Sequence, residues 1–194
     1  MDKQKVNRIK PDIQMLPLLE SDLPVLVNWA KDEKTLIQWC GPVFDFPLTI
    51  EQLQPYFRES VKTNPQRFIF KAVINDKIAG MSELGAISQK HETASLCRIF
   101  VDESFRGQGI ADLLISNVLE FGFKKLNLTR IELNVYTYNI PAYKCYEKLG
   151  FQREGLKRKI TKYKNEYWDG YVYGLLREDW EELKRQTSNV KCET

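Results

Sequence analysis

Histidine is almost missing from this chain: His91 is the only one, inside the polar run SQKHET. A surface turn is expected for it rather than catalysis. Cysteine is scattered, at Cys40, Cys97, Cys145 and Cys192, with no C-x-x-C pair. Metal-ligand spacing is therefore missing, and no disulfide framework is expected in a chain of 194 residues. Cys145 has no local histidine to activate it, which argues against a cysteine nucleophile. Apolar runs long enough to cross a membrane are absent. The opening MDKQKVNRIKPD is charged and has no apolar core, so it does not read as a signal peptide. Charge of one sign is not in excess, with 29 Lys+Arg against 26 Asp+Glu and a net charge of +3. So small a surplus does not predict nucleic acid, and a modestly basic enzyme for a phosphorylated cofactor fits equally well. These absences leave a cytoplasmic protein with no membrane or nucleic-acid partner as the expectation.

No repeat or low-complexity linker divides the chain, and 43% of it is hydrophobic, enough for a sizeable core. One domain is expected over residues 1–194, with its core at about 12–183 and flexible ends. DIQMLPLLE reads as a first strand. Ser21 reads as the N-cap of DLPVLVNWAKDEKTLIQWC, with Pro24 in the first turn and the pattern open to division into two short helices. GPVFDFP at 41–47 is a loop, and Thr49 caps IEQLQPYFRES, in which Pro55 predicts a kink or an early end. RFIFKAVI, an Asn75-Asp76 turn, KIAGMSEL and TASLCRIFV make a meander. A helix from about Ile110 to Lys125 carries Ile110, Leu114, Val118 and Phe121 on one stripe, broadened by Leu113 and Ile115. RIELNVYT then alternates, with Ile131, Leu133 and Val135 on one face and Glu132, Asn134 and Tyr136 on the other. A helix from Pro141 stops at Gly150, a hairpin turns near Asn165, and REDWEELKRQ closes the chain. The order defines an α/β or α+β sheet with helices on its faces, and residues 94–136 form a candidate βαβ crossover.

Gly107 and Gly109 stand between a strand and an amphipathic helix. A helix start offers unpaired N–H groups and the positive end of a dipole, and glycines let a phosphate approach them. Two nucleotide motifs fail here. Asp112 occupies the third glycine of G-x-G-x-x-G, and no G-K-[ST] follows. Asp112 would also repel a phosphate placed beside it, so its side chain must point elsewhere.

RGQGIA at 106–111 is similar to the [QR]-x-x-G-x-[GA] turn of the GNAT superfamily of N-acetyltransferases. NIPAYKCYEKLGF at 139–151 resembles that superfamily's N-x-x-A-x-x-x-Y-x-x-x-G-F segment, one helix and one strand downstream. REG at 153–155 and WDGYVYGLLREDW at 168–180 resemble the branch of ribosomal-protein and polyamine acetyltransferases. The resemblance spans about residues 12–183 and is strongest over 98–155. It implies a mixed central sheet, splayed at the cofactor site, with acetyl-CoA as co-substrate. Its pyrophosphate would rest on the backbone of Arg106, Gly107, Gln108, Gly109, Ile110 and Ala111, and its pantetheine arm would pair with the backbone of Ile99, Phe100 and Val101. Asn139 would touch the arm, its alternative role being a helix cap.

The implied reaction moves acetyl to a primary amine by direct transfer. Tyr146, at the motif tyrosine, would give its proton to the leaving thiolate, since a phenol is protonated at neutral pH. Its structural alternative is a half-buried helix aromatic. The amine needs a base. The position some family members use for a glutamate is Asn134 here, leaving Glu83, then Glu132, or a water chain as candidates. The region of Trp29, Trp39, Phe44 and Phe46 would shape the acceptor side, with Trp29 in the core and Trp39 to Phe46 as a wall. The acceptor stays open among a protein N-terminus or lysine, a polyamine, an amino acid and an aminoglycoside-type amine. A homodimer is compatible with the family. Two rivals are a non-catalytic acyl-CoA-binding regulatory module and a nucleic-acid binder using the basic run Lys157, Arg158, Lys159, Lys162 and Lys164.

Overall fold

The computed structural model describes residues 13–192, with side chains as far as residue 187. The expected flexible ends, and Asp12 of the first strand, lie outside the described residues. Seven strands and six helices follow one another: β1 (Gln14–Pro17), α1 (Leu23–Trp29), α2 (Glu33–Cys40), α3 (Ile50–Arg58), β2 (Phe68–Ile74), β3 (Lys77–Ser88), β4 (Thr93–Val101), α4 (Ile110–Glu120), β5 (Arg130–Tyr136), α5 (Ile140–Lys148), β6 (Gln152–Tyr163), β7 (Glu166–Leu176) and α6 (Arg177–Cys192). They form one sheet in the order β1-β2-β3-β4-β5-β7-β6, antiparallel throughout except between β4 and β5. The architecture is the expected α/β (α+β) sheet with helices on both faces.

Period-two alternation assigns the faces. In β2, Phe68 and Phe70 pack beside Leu84, Leu119 and Phe123 in one core, while Ile69 joins Leu23, Trp39, Leu53 and Met81 in the other. The first core is covered by α4 to α6 and the second by α1 to α3. Gly122, in the π-helical turn Phe121–Lys125 that extends α4, lets this helix approach the sheet; a Cβ there would stand 2.7 Å from Ile131 Cδ1.

Three local expectations change. Ser21 is not the cap of α1: it lies in a 3-10 turn, Glu20–Asp22, and Asp22 precedes the helix. Ala30 (φ −81°, ψ 69°) then leaves helical geometry, and Asp32 starts α2 by accepting from Thr35 N at 2.6 Å, so two short helices form. Pro55 does not end α3, which runs past it to Arg58. Leu113 is 44% exposed; α4 instead buries Ile110, Leu114, Ile115, Val118 and Leu119, because residue 113 falls on the solvent edge of the i, i+4 rows. Thr49, the Asn75-Asp76 turn, Gly150 (φ 96°) and the hairpin before Glu166 fall where expected.

The parallel pairing of β4 and β5 decides the site. It covers only Thr93–Arg130, Ala94–Ile131 and Ser95–Glu132. Beyond these pairs β5 stays zipped to β7 as far as Tyr136, and β4 to β3 as far as Val101, so the two strands part. A bulge marks the parting. Cys97 pairs with Glu83 and Phe100 with Met81, and the extra residue on β4 includes Arg98 at φ +47°.

Candidate active site

Past Cys97, Ile99 lies in the bulge while Phe100 and Val101 pair with β3 on one edge, and none of the three has a partner from β5 on the other. Their side chains are packed. Phe100 stacks on Trp29 at 4.9 Å and meets Trp39 at 5.1 Å, Ile99 lies against the α4–α6 core, and Val101 lies beside Ile110 and Leu114. Backbone on the open edge can take an extended chain as an added strand.

The glycine turn leads from this edge into α4. Gly107 (φ +74°) and Gly109 (φ +77°) are both left-handed, and Gly109 sits at the N-cap with no side-chain cap. A Cβ at either would meet nothing within 4 Å. Glycine is therefore required by the backbone angle, not by crowding. The N–H of Arg106 is spent on Glu103 O at 3.3 Å, and its Nε donates to Val101 O at 3.2 Å. Among the described residues, the N–H groups of residues 107–112 donate to no backbone acceptor outside the helix's own ladder, and a helix start has none to offer within it. Such a mouth suits a phosphate. Asp112 does point elsewhere: its carboxylate accepts from Lys148 Nζ and, at 3.0 Å, from Cys145 Sγ, both on α5. Burial opposes its charge, but the bonds from Lys148 and Cys145 prevail and hold its carboxyl below the usual range.

Tyr146 is 7% exposed on the inner face of α5, near Phe151. Burial raises its phenol above the ordinary value, with Cys145 and then Cys97 of β4 adding to the effect. The thiols stay protonated as well: burial pushes Cys97 up to about 11, and burial with Asp112 pushes Cys145 up to about 12. Asn139 precedes α5 but makes no side-chain cap hydrogen bond; only its carbonyl serves, accepting from Ala142 N and Tyr143 N at 3.2 Å. Its amide thus remains free of the capping role.

The two base candidates differ sharply. Glu83 is 1% exposed. The Tyr56 hydroxyl donates to it, 2.6 Å from Oε2 and 2.8 Å from Oε1, and Arg98 Nε lies 3.3 Å from Oε2 as an ion pair without hydrogen-bond geometry. Glu132 lies where β4 and β5 are still paired and is bound to Arg130 at 3.3 Å, which also holds Glu154. Asn134 is exposed and accepts from Lys157 Nζ at 3.1 Å. On the α1–α3 side, α2 spans both splayed strands: Trp39 Nε1 donates to Arg98 O at 3.1 Å, and Tyr136 OH of β5 lies 3.5 Å from Ile37 O. Trp29 is buried as expected, Phe44 packs edge-on to Tyr56, and Phe46 is 45% exposed, outside the wall. His91 lies in an exposed turn, and the basic run is exposed along β6 as far as Lys162, with Lys164 in the turn that follows. Sequence reasoning missed Tyr56, Arg67 and Arg98. The only signal was an arginine inside the apolar strand TASLCRIFV.

The comparisons with known proteins agree with this geometry. The model of the acetyltransferase (GNAT) family matches residues 25–151. The SPbeta prophage-derived uncharacterized N-acetyltransferase YokL of Bacillus subtilis is 36% identical over 137 residues, 70% of this chain and 76% of that protein. The L-amino acid N-acetyltransferase AaaT of Escherichia coli is 38% identical over 73 residues, 38% of this chain and 45% of that protein. In fold, the chain is similar to the spermidine N-acetyltransferase of Vibrio cholerae solved with CoA and spermine, with a TM-score of 0.76 at 24% identity, covering 87% of this chain and 97% of that one. The chain belongs to the GNAT family of acetyltransferases. It is an acyltransferase enzyme, and acetyl-CoA is its co-substrate.

Proposed function

We propose that the chain transfers acetyl from acetyl-CoA to a primary amine within one ternary complex, with Tyr146 as general acid and Glu83 as the carboxylate that takes up the amine's proton, directly or through a water. The observation that carries this reading is the end of β4–β5 pairing at Ser95–Glu132, just ahead of an open strand edge and a helix mouth with free N–H groups. The pyrophosphate would rest on the 106–111 turn, the free amides at 107–112 supplying the donors. The pantetheine would lie along Ile99–Val101, near the Asn139 amide. The thioester would then sit in the splay. The ammonium gives one proton to Glu83, the freed lone pair attacks the carbonyl carbon, the C–S bond breaks, the thiolate takes the Tyr146 proton, and the surplus proton on the new amide nitrogen passes to the Tyr146 phenolate. An acyl-enzyme step is disfavoured by thiols that burial keeps protonated.

Glu83 is preferred to Glu132 because it is buried beside the acceptor wall, whereas Glu132 is tied to Arg130. Relatives divide on the acceptor, one named for L-amino acids and another, from Vibrio cholerae, for spermidine. Among the described residues no helix is long and apolar enough to cross a membrane; cytoplasmic residence, a single catalytic domain and a homodimer complete the proposal. Sedimentation of the pure protein tests the last, a lone species at 22.8 kDa contradicting it. The activity is tested by release of CoA thiol from acetyl-CoA across an amine panel.

A further inference from the structure

The acceptor side holds more positive charge than its one carboxylate balances. Arg98 is 16% exposed at the side chain and close to Glu83. Arg67, at the entry to β2, lies over the Tyr56 ring at 3.8 Å, and Arg98 lies over the same ring at 4.8 Å. Tyr56 joins the three groups in one cluster, its ring under both guanidiniums and its hydroxyl on Glu83. Tyr56 already satisfies Glu83. Among the described residues, three guanidinium nitrogens are buried without a hydrogen-bond partner: Arg67 Nε, Arg67 Nη1 and Arg98 Nε. Buried donors are normally paired, and two guanidiniums beside one carboxylate leave positive charge in excess, so a cluster of this kind calls for an anion. Arg98 and Tyr56 also line an otherwise apolar cavity with Leu26, Phe44, Phe57 and Met81.

We infer that the acceptor carries a carboxylate as well as its amine, with an apolar group between or beside them: the chemistry of an apolar amino acid. This rests on the acetyltransferase reading above. The acceptor carboxylate completes the donors of Arg67 and Arg98, its apolar part meets the aliphatic and aromatic lining, and its ammonium faces Glu83. A polyamine would bring further positive charge to two guanidiniums facing one carboxylate, and like charges repel. The cavity is small, ≈ 20 Å³, and Phe44 of the segment between α2 and α3 borders it, so an acceptor enters only if that segment moves.

The experiment measures kcat/KM for leucine and phenylalanine, for the matching amines without the carboxylate (isoamylamine, phenethylamine), for leucinamide and for spermidine. It uses wild type, Arg67→Gln and Arg67→Lys. The amino acids should exceed their decarboxylated counterparts by on the order of 100-fold or more, because those analogues leave buried donors unpaired. Arg67→Gln should raise KM for the amino acids toward the level of the plain amines, lower kcat/KM for the plain amines at least tenfold less than for the amino acids, and be partly rescued by Arg67→Lys. Spermidine or phenethylamine transferred as well as phenylalanine overturns the inference and leaves the transferase reading standing. An equal loss for every acceptor in Arg67→Gln likewise overturns it, as a structural effect. Acetyl-CoA binding with no release for any amine overturns both. If Arg67→Gln does not fold, the wild-type panel alone decides.

Discussion

Asp112 of α4 is ion-paired with Lys148 of α5, and its carboxylate is thereby turned away from the mouth of its own helix. A carboxylate in the first turn suits the helix dipole but would oppose a phosphate there. The pair resolves that conflict and ties α4 to α5, the two helices that carry the glycine turn and Tyr146. Because its folded carboxyl is held below the usual range, Asp112 contributes stability above the unfolded aspartate value of about 3.9, and that stability is lost as pH falls through the lowered folded value. Asp112→Asn should lower the melting temperature at pH 7 by about 2 °C, a small effect because Lys148 is exposed. The gap between variant and wild type should close under acid. An unchanged gap at every pH would show that Asp112 acts by shape instead of charge.

Gly109→Asp should abolish acetyl-CoA binding while leaving most of the fold. A Cβ there has open space, so the strain is confined to the left-handed backbone, about 1–2 kcal/mol. Gly109→Ala carries the same strain without the charge and should retain weakened binding. Calorimetric titration with acetyl-CoA separates the two; a folded Gly109→Asp that binds normally contradicts the cradle.

The two glutamates predict opposite outcomes. Glu83→Gln leaves Arg98 without its charge partner, so it should cost on the order of 3 kcal/mol of stability as well as most of the turnover. Glu132→Gln should keep kcat within about twofold, since half-exposed ion pairs contribute about 0.5 kcal/mol or less. Urea unfolding and steady-state rates check both. A Glu132→Gln enzyme that is dead and a Glu83→Gln enzyme that is active would reverse the assignment.

The parts of the molecule that were legible in sequence are those governed by local patterning. Alternation found β2 to β5, a 3.6-residue stripe found α4, and the glycine pair marked the left-handed turn that opens this helix. What escaped depends on distant segments meeting. Arg98 takes φ +47° because β4 must bulge against β3, and no residue-type preference announces that. Tyr56, Arg67, Glu83 and Arg98 come from one helix, two strands and the segment just before β2, so no spacing reveals their cluster. The cap of the first helix escaped for a related reason. Ser21 and Asp32 are both good caps, and only the turn at Ala30 decides between one helix and two.

Tyr146 tests the central claim most directly. Its hydroxyl makes no hydrogen bond among the described residues, so Tyr146→Phe should change stability by no more than about 0.5 kcal/mol. The measurement is thiol release from acetyl-CoA across the amine panel, read beside acetyl-CoA affinity, for wild type and Tyr146→Phe. The account predicts release by wild type and a fall in kcat of about 100-fold or more in the variant, with affinity unchanged. Tight acetyl-CoA binding without release for any amine, or equal turnover by the two proteins, would contradict it, the first result pointing to a binding module and the second to another acid.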